Sequence, residues 1–253
     1  MTKEAQFKAL LGAFEVHDVD AIAVSFNSGI DPNDRFDDGH QDKPLIQYMI
    51  SMYMRSPRFS DCIRQFFRYG LHWEDDFLKA ILLNDTASLE FQIMNDPDIV
   101  YNTYNLDNAY TAMKNVSALH ICAEFNHVSC ARILVNSGLD INFVAGVDEH
   151  GFGGQTPIFH TVNQNGNASK EMLHFLIGNG ADPTLTVKGL HWGQNYPWET
   201  LYPAVNPISF AMMGLTPQMH RDPETTKEVV QMLVKKAFGI EYGFPNVPCA
   251  YLQ

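Results

Sequence analysis

Ten histidines and 29 acidic residues are the groups from which acid–base or metal chemistry would be built in this chain. His150 and His191 lie in segments that also hold Asp148, Glu149 and Glu199. A histidine beside a carboxylate makes a general base or part of a metal site, because the imidazole titrates near neutrality and the carboxylate orients it. The spacing takes this no further: there is no HExxH, no HxH and no regular ligand interval. Nor is there a GxSxG elbow or a GxxxxGK[ST] phosphate loop. GFGG at 151–154 supplies glycines without the strand and helix of a phosphate cradle, and reads as a flexible turn. HRDPETTKEVV (220–230) looks like a helix start, with Asp222 as cap, Pro223 at the first position and Glu224 in the first turn. Cys62, Cys122, Cys130 and Cys249 are too scattered for a zinc knuckle or a disulfide framework, and read as small buried thiols. No metal, no cofactor and no catalytic residue is expected.

Composition narrows the partners. In 253 residues, 45% apolar and 18% charged, neither disorder nor collagen is credible. Lys plus Arg number 17 against 29 Asp plus Glu, a net charge of −12, so a basic face for nucleic acid is not expected. The opening MTKEAQFKALLGAFEVHDVD has no apolar core of secretory length. No window approaches the roughly 18 to 20 apolar residues of a membrane span. The expected setting is the cytoplasm, with no membrane partner. Asp31, Asp34, Asp37, Asp38 and Asp42 cluster in one turn and read as a solvated acidic loop, with a basic protein segment steered to that end as the functional alternative.

The elements that would position any site announce themselves as a repeat. NSGIDPN (27–33), YGLHWED (69–75), NSGLDIN (136–142) and GNGADPT (178–184) each place a glycine just after an apolar helical run. Gly29 to Gly70 is 41 residues, Gly70 to Gly138 is 68, or twice 34, and Gly138 to Gly180 is 42. SALHICAEFNHVSCARILVNSGLDIN (117–142) resembles the ankyrin repeat without a gap, with Ala118, Leu119, His120, Cys122 and Ala123 opening it and Gly138, Asp140 and Asn142 closing it. QTPIFHTVNQNGNASKEMLHFLIGNGADPT (155–184) resembles it as well, with about three extra residues near Asn165 to Asn167. Six units are expected, near 4–33, 43–74, 75–106 (degenerate), 116–143, 154–186 and 205–239, followed by a tail at 240–253.

That resemblance implies an all-α solenoid of stacked antiparallel helix pairs in one domain. Thr156 and Asn206 would cap first helices ahead of Pro157 and Pro207, the glycines would take the left-handed conformation that ends second helices, and the last unit has Ala237 where glycine is expected. No pair buries its apolar face alone, so the end units must be atypical and Tyr242, Phe244, Tyr251 and Leu252 of the tail would cover the last pair. His120 and His127 fall on places the family uses for structural hydrogen bonds.

It also implies which positions face a concave, partner-binding surface: Gln47, Ile121, His160 and Phe210, then Glu124, Phe125, Asn163 and Gln164 one turn later. The sequence departs from the family in two long hairpin loops, FVAGVDEHGFGG (143–154) and TVKGLHWGQNYPWETLYPAV (186–205). The second carries Trp192, Tyr196, Trp198 and Tyr202, aromatics of the kind that anchor binding hot spots, so it is expected to be ordered. The expected function is a non-enzymatic module, favoured as a monomer, that holds a protein or peptide in the groove around Ile121, Phe125, His160 and Phe210, closed by His191, Trp192, Tyr196 and Trp198. The rival is a small-molecule, hydrolytic or metal site built by His150, His160, His191 and Glu199.

Overall fold

A computed structural model describes residues 2–37, 39, 41–193, 197–213 and 222–244 of the chain. Helices pair in sequence order: α1 (Lys3–Glu15) with α2 (Val19–Asn27), α3 (Leu45–Ser51) with α4 (Phe59–Arg68), and α5 (Asp76–Leu83) with α6 (Thr86–Asn95). Then come α7 (Ala118–Phe125) with α8 (Val128–Asn136), the single turn α9 (Phe159–Val162) with α10 (Lys170–Gly178), and α11 (Pro207–Met212) with α12 (Pro223–Phe238). Each pair packs on the next, through α1 on α3, α4 on α5, α5 on α7, α7 on α9 and α9 on α11. The residues that stitch the stack are large and fully buried, Phe14, Phe59, Phe66, Phe77, Phe159 and Phe210 among them. Each such side chain contributes roughly 2 kcal/mol by leaving water.

Local chemistry sets the element ends. Asp18, Asp75, Asp85, Asn206 and Asp222 accept hydrogen bonds from backbone N–H groups three residues on, satisfying donors that a helix start leaves free. Thr156 does not cap as expected: α9 starts only at Phe159, and the Thr156 hydroxyl is buried without a hydrogen-bond partner among the described residues. Gly29, Gly70, Gly138 and Gly180 all take φ between 95° and 99°, the conformation expected of them. The sixth pair ends on left-handed Gly239, two residues beyond Ala237, the expected place of the turn. The turn inside a pair uses left-handed Asn84, Asn126 and Asn167, a residue type whose short polar side chain tolerates that region.

The expectation of an all-α chain holds only approximately, because the long turns are two-stranded antiparallel hairpins. β1 (Arg35–Asp37) pairs with β2 (Asp42–Pro44), β3 (Thr103–Leu106) with β4 (Met113–Ser117), and β5 (Val187–Trp192) with β6 (Thr200–Val205). The segment 143–154 adds an isolated bridge between Val147 and Gly153. Asn side chains tie successive turns together. Asn33 donates to the Gly70 carbonyl at 3.0 Å and accepts from the His72 N–H at 2.8 Å. In the tail, the rings of Tyr242 and Phe244 stand edge to face at 4.8 Å and the Tyr242 carbonyl accepts from Gln231 of α12. Tyr251 and Leu252 lie outside the described residues.

Candidate functional site

Most of the expected groove lining is inside the protein. Ile121, Glu124, Phe125, His160, Asn163, Gln164 and Phe210 are all buried, against the expectation that they face outward. For Glu124 and Phe125 the cause is an intramolecular cover, while the Phe210 ring packs against Phe159 and Tyr202. Between α3 and α4 the chain 52–58 crosses to α7, where Arg55 meets Glu124 and the Phe59 ring stacks on Phe125 at 3.8 Å and 6°. Tyr110, in the β3–β4 hairpin, donates from its hydroxyl to the Tyr53 carbonyl at 2.6 Å and so holds the cover in place. Gln164 folds under it, its amide donating to the carbonyls of Glu124 at 2.6 Å and His160 at 2.8 Å.

At the centre of the cover is a buried polar cluster. Arg55 Nε donates to Glu124 Oε1 at 2.8 Å, Nη2 donates to Asn108 Oδ1 at 2.6 Å, and Nη1 donates to the carbonyls of Met52 and Met54. The guanidinium also lies 4.9 Å from the Phe125 ring centroid. His160 Nδ1 stands 2.8 Å from Glu124 Oε2. An ionised carboxylate only accepts, so that nitrogen carries the hydrogen. Burial pushes the Glu124 carboxyl up, but the Arg55 charge and the His160 hydrogen bond outweigh it and hold the carboxyl below its usual value. Both carboxylate oxygens are engaged, which makes the cluster an organiser of packing rather than a proton acceptor open to solvent.

The neighbouring histidines are structural too. His120 Nε2 donates to the Gln155 carbonyl at 3.0 Å while Nδ1 accepts from the Ser117 hydroxyl at 2.8 Å. Burial, then the nearby His160, hold the His120 imidazole down at about 3. His127 Nδ1 donates to the Ile81 carbonyl at 2.8 Å, leaving Nε2, 3.0 Å from the Ser60 hydroxyl, as its acceptor.

The residues of the rival site are not brought to one place. His191 Nδ1 lies 3.0 Å from Glu199 Oε1 across the β5–β6 hairpin, out of line for a hydrogen bond, and its Nε2 is 3.8 Å from Asp148. His160 faces Glu124 instead, and His150 is exposed beside Glu149 at 3.6 Å. Among the described residues, no three His, Cys, Asp or Glu side chains gather as a metal site.

The open concavity lies nearer the first helix. A cavity of about 810 Å³ is walled by Leu11 and Gly12 of α1, Tyr48 and Ser51 of α3, and the adjoining Met52 and Tyr53. Pro197 and Trp198 of the third hairpin close it, with Trp198 43% exposed at the rim. Trp192 supports Trp198, their rings 4.8 Å apart, and Gly193 (φ 65°) runs so close beneath that an added Cβ would overlap the Trp198 ring. Trp192 itself pairs with Thr111 of the second hairpin. Of the expected site residues, Trp198 lines this cavity, Gln47 lines its neighbour, and Tyr196 lies outside the described residues. Leu11, Lys43, Tyr48, Met52 and Tyr53 are not among the residues the sequence points to. A signal is nonetheless present at MYMRSP (52–57), where Pro57 disfavours a continuous helix from α3 and leaves a connection too long for a tight turn.

Among the described residues no helix is long and apolar enough to cross a membrane. No curated protein matches the chain. Residues 77–187 match the family model for ankyrin repeats (3 copies), a span that runs from α5 to the start of the third hairpin and includes the two stretches whose residues carry the resemblance. The paired helices, the left-handed glycines and the His120 bond between turns agree with that match, and residues 77–187 are ankyrin repeats.

Proposed function

We propose that the chain holds a protein or peptide segment in the concavity between α1, α3 and the tip of the β5–β6 hairpin. Ankyrin repeats are generally protein–protein interaction modules and typically non-catalytic, and stacked repeats form extended concave surfaces that suit this use. The observation that carries the reading is the cavity of about 810 Å³ with Tyr48, Met52, Tyr53 and Trp198 around it. Its size is that of a site for a few side chains, and clustered aromatics are the usual anchors of an interface. In this reading Gln47 and Trp198 touch the partner, and His191 and Trp192 hold the hairpin tip. Ile121, Glu124, Phe125, His160, Gln164 and Phe210 shape the floor from beneath.

The test is affinity capture with the wild-type chain and with a Tyr53→Ala/Trp198→Ala double variant, the far-ultraviolet spectrum confirming that both are folded. A partner recovered by the wild type and lost by the variant is expected. Equal recovery of every partner would remove this surface from consideration.

A further inference from the structure

The groove has a chemically distinct end. Gln41 and Lys43 line both the larger cavity and an adjoining one of about 350 Å³, whose other walls include Gln47, Asp107, Asn108 and Lys114. Lys43 sits on β2 and is only 9% exposed. Its ammonium donates to the Ser51 hydroxyl at 3.2 Å, pairs loosely with Asp107 at 3.5 Å, and lies 4.6 Å from the Tyr48 ring centroid. An ammonium carries three protons, so one hydroxyl and one half-exposed carboxylate leave donor capacity toward the cavities. A poorly solvated cation is costly until an anion meets it at close range.

Two further observations fall at the same end. The Gln47 side-chain oxygen is buried and has no hydrogen-bond partner among the described residues. Lys114, in the wall of the smaller cavity, makes no ion pair among the described residues, whereas Lys8 of the larger one is paired with Glu4 at 2.7 Å. In a chain of net charge −12, Lys43 and Lys114 against Asp107 make the smaller cavity locally cationic. That polarity is opposite to the rest of the molecule, and complementary charge is what steers and registers a partner.

From this we infer that the groove takes a peptide in which a carboxylate stands next to a bulky apolar residue. This rests on the reading of the groove as a peptide-binding surface. The apolar side chain lies against Leu11, Met52 and Trp198. The carboxylate accepts from the Lys43 ammonium in place of the loose contact to Asp107. The Gln47 amide pairs with the peptide backbone beside it. Because Lys43 lines both cavities, the peptide continues past that residue, and the carboxylate is an Asp or Glu side chain rather than a chain terminus.

Fluorescein-labelled ten-residue peptides with central Trp-Glu, Trp-Gln or Trp-Lys, and a fourth ending in Trp as free acid or amide, separate these cases by anisotropy. The expected result is about tenfold tighter binding of the Trp-Glu peptide than of its Trp-Gln counterpart, the effect of about one charge-assisted hydrogen bond, and a preference confined to the free-acid terminus overturns the inference. Lys43→Met should abolish that preference and leave the Gln peptide bound as before. Asp107→Asn, a change at a half-exposed side chain that keeps the fold, should tighten the carboxylate peptide severalfold by removing its competitor. Carboxylate, Gln and Lys peptides binding equally, or a preference that survives Lys43→Met, overturns the inference while leaving the groove in place. Binding that Trp198→Ala does not weaken, or no binding of any peptide, overturns the groove itself.

Discussion

Arg55 and Glu124 stand 69 positions apart in the chain and meet at 2.8 Å with both side chains no more than 2% exposed. Taking away one member of such a pair strands the other as an uncompensated charge, which costs roughly 3 to 5 kcal/mol. Glu124→Leu and Arg55→Met should each lower the unfolding free energy measured by urea titration by an amount in that range, and the double variant should recover part of the loss. Strict additivity in the double-mutant cycle would show that the two do not act together.

Asn142 staples its turn to the next one, donating to the Gly180 carbonyl at 3.2 Å and accepting from the Asp182 N–H at 2.9 Å. Asn142→Ala removes both bonds at a half-buried position and should cost about 1 to 2 kcal/mol. Hydrogen exchange is the sharper readout: the Asp182 amide should lose protection more than amides in α8. Unchanged protection there would mean that the staple does not hold the turn.

Acid should weaken the fold through histidines. Burial holds His127 down at about 4 against an ordinary 6.5, and burial, then the Arg55 and Arg58 charges, hold His17 at about 4. His120 joins them at about 3. In each case the unfolded chain takes up a proton that the native state refuses. The stabilisation is whole above pH 6.5 and is lost as pH falls toward 4, for His127 by roughly 3 kcal/mol. Urea midpoints should therefore drop between pH 7 and pH 5. His127→Gln should flatten that slope, and a slope identical to wild type would contradict the assignment.

Gly138 has space around it, since an added Cβ would meet only the Tyr101 hydroxyl at 3.5 Å, an ordinary contact. Its φ of 95° is the obstacle, because a β-branched residue is strained there. Gly138→Val should cost about 1 to 3 kcal/mol, more than a typical surface change. A melting temperature unchanged within error would remove the left-handed turn as a determinant of stability.

The legible parts of the fold are those written in neighbouring residues. Gly138 and Gly180 are required by one backbone angle, and Asp222 with Pro223 caps a helix through atoms three residues away. His120 is readable because its partner lies on an adjoining turn. The hairpins are not: VKGLHW puts a glycine in mid-strand and has no clean alternation, so β5 carries little strand signal of its own and is held by its register with β6. The burial of Glu124 and Phe125 is not legible at all, because it depends on Arg55 and Phe59 arriving from another pair. The lysine end of the groove is hidden for the same reason, Lys43 and Lys114 being distant in sequence and brought to one cavity only by the fold.

In a row of repeats each member touches only its neighbours, and the two ends fray independently. Here Leu11 from the first helix and Trp198 from the last hairpin line one cavity. A guest resting on both would clasp the row end to end, as a buckle closes a belt, so that peeling the first helix away would first require opening the clasp.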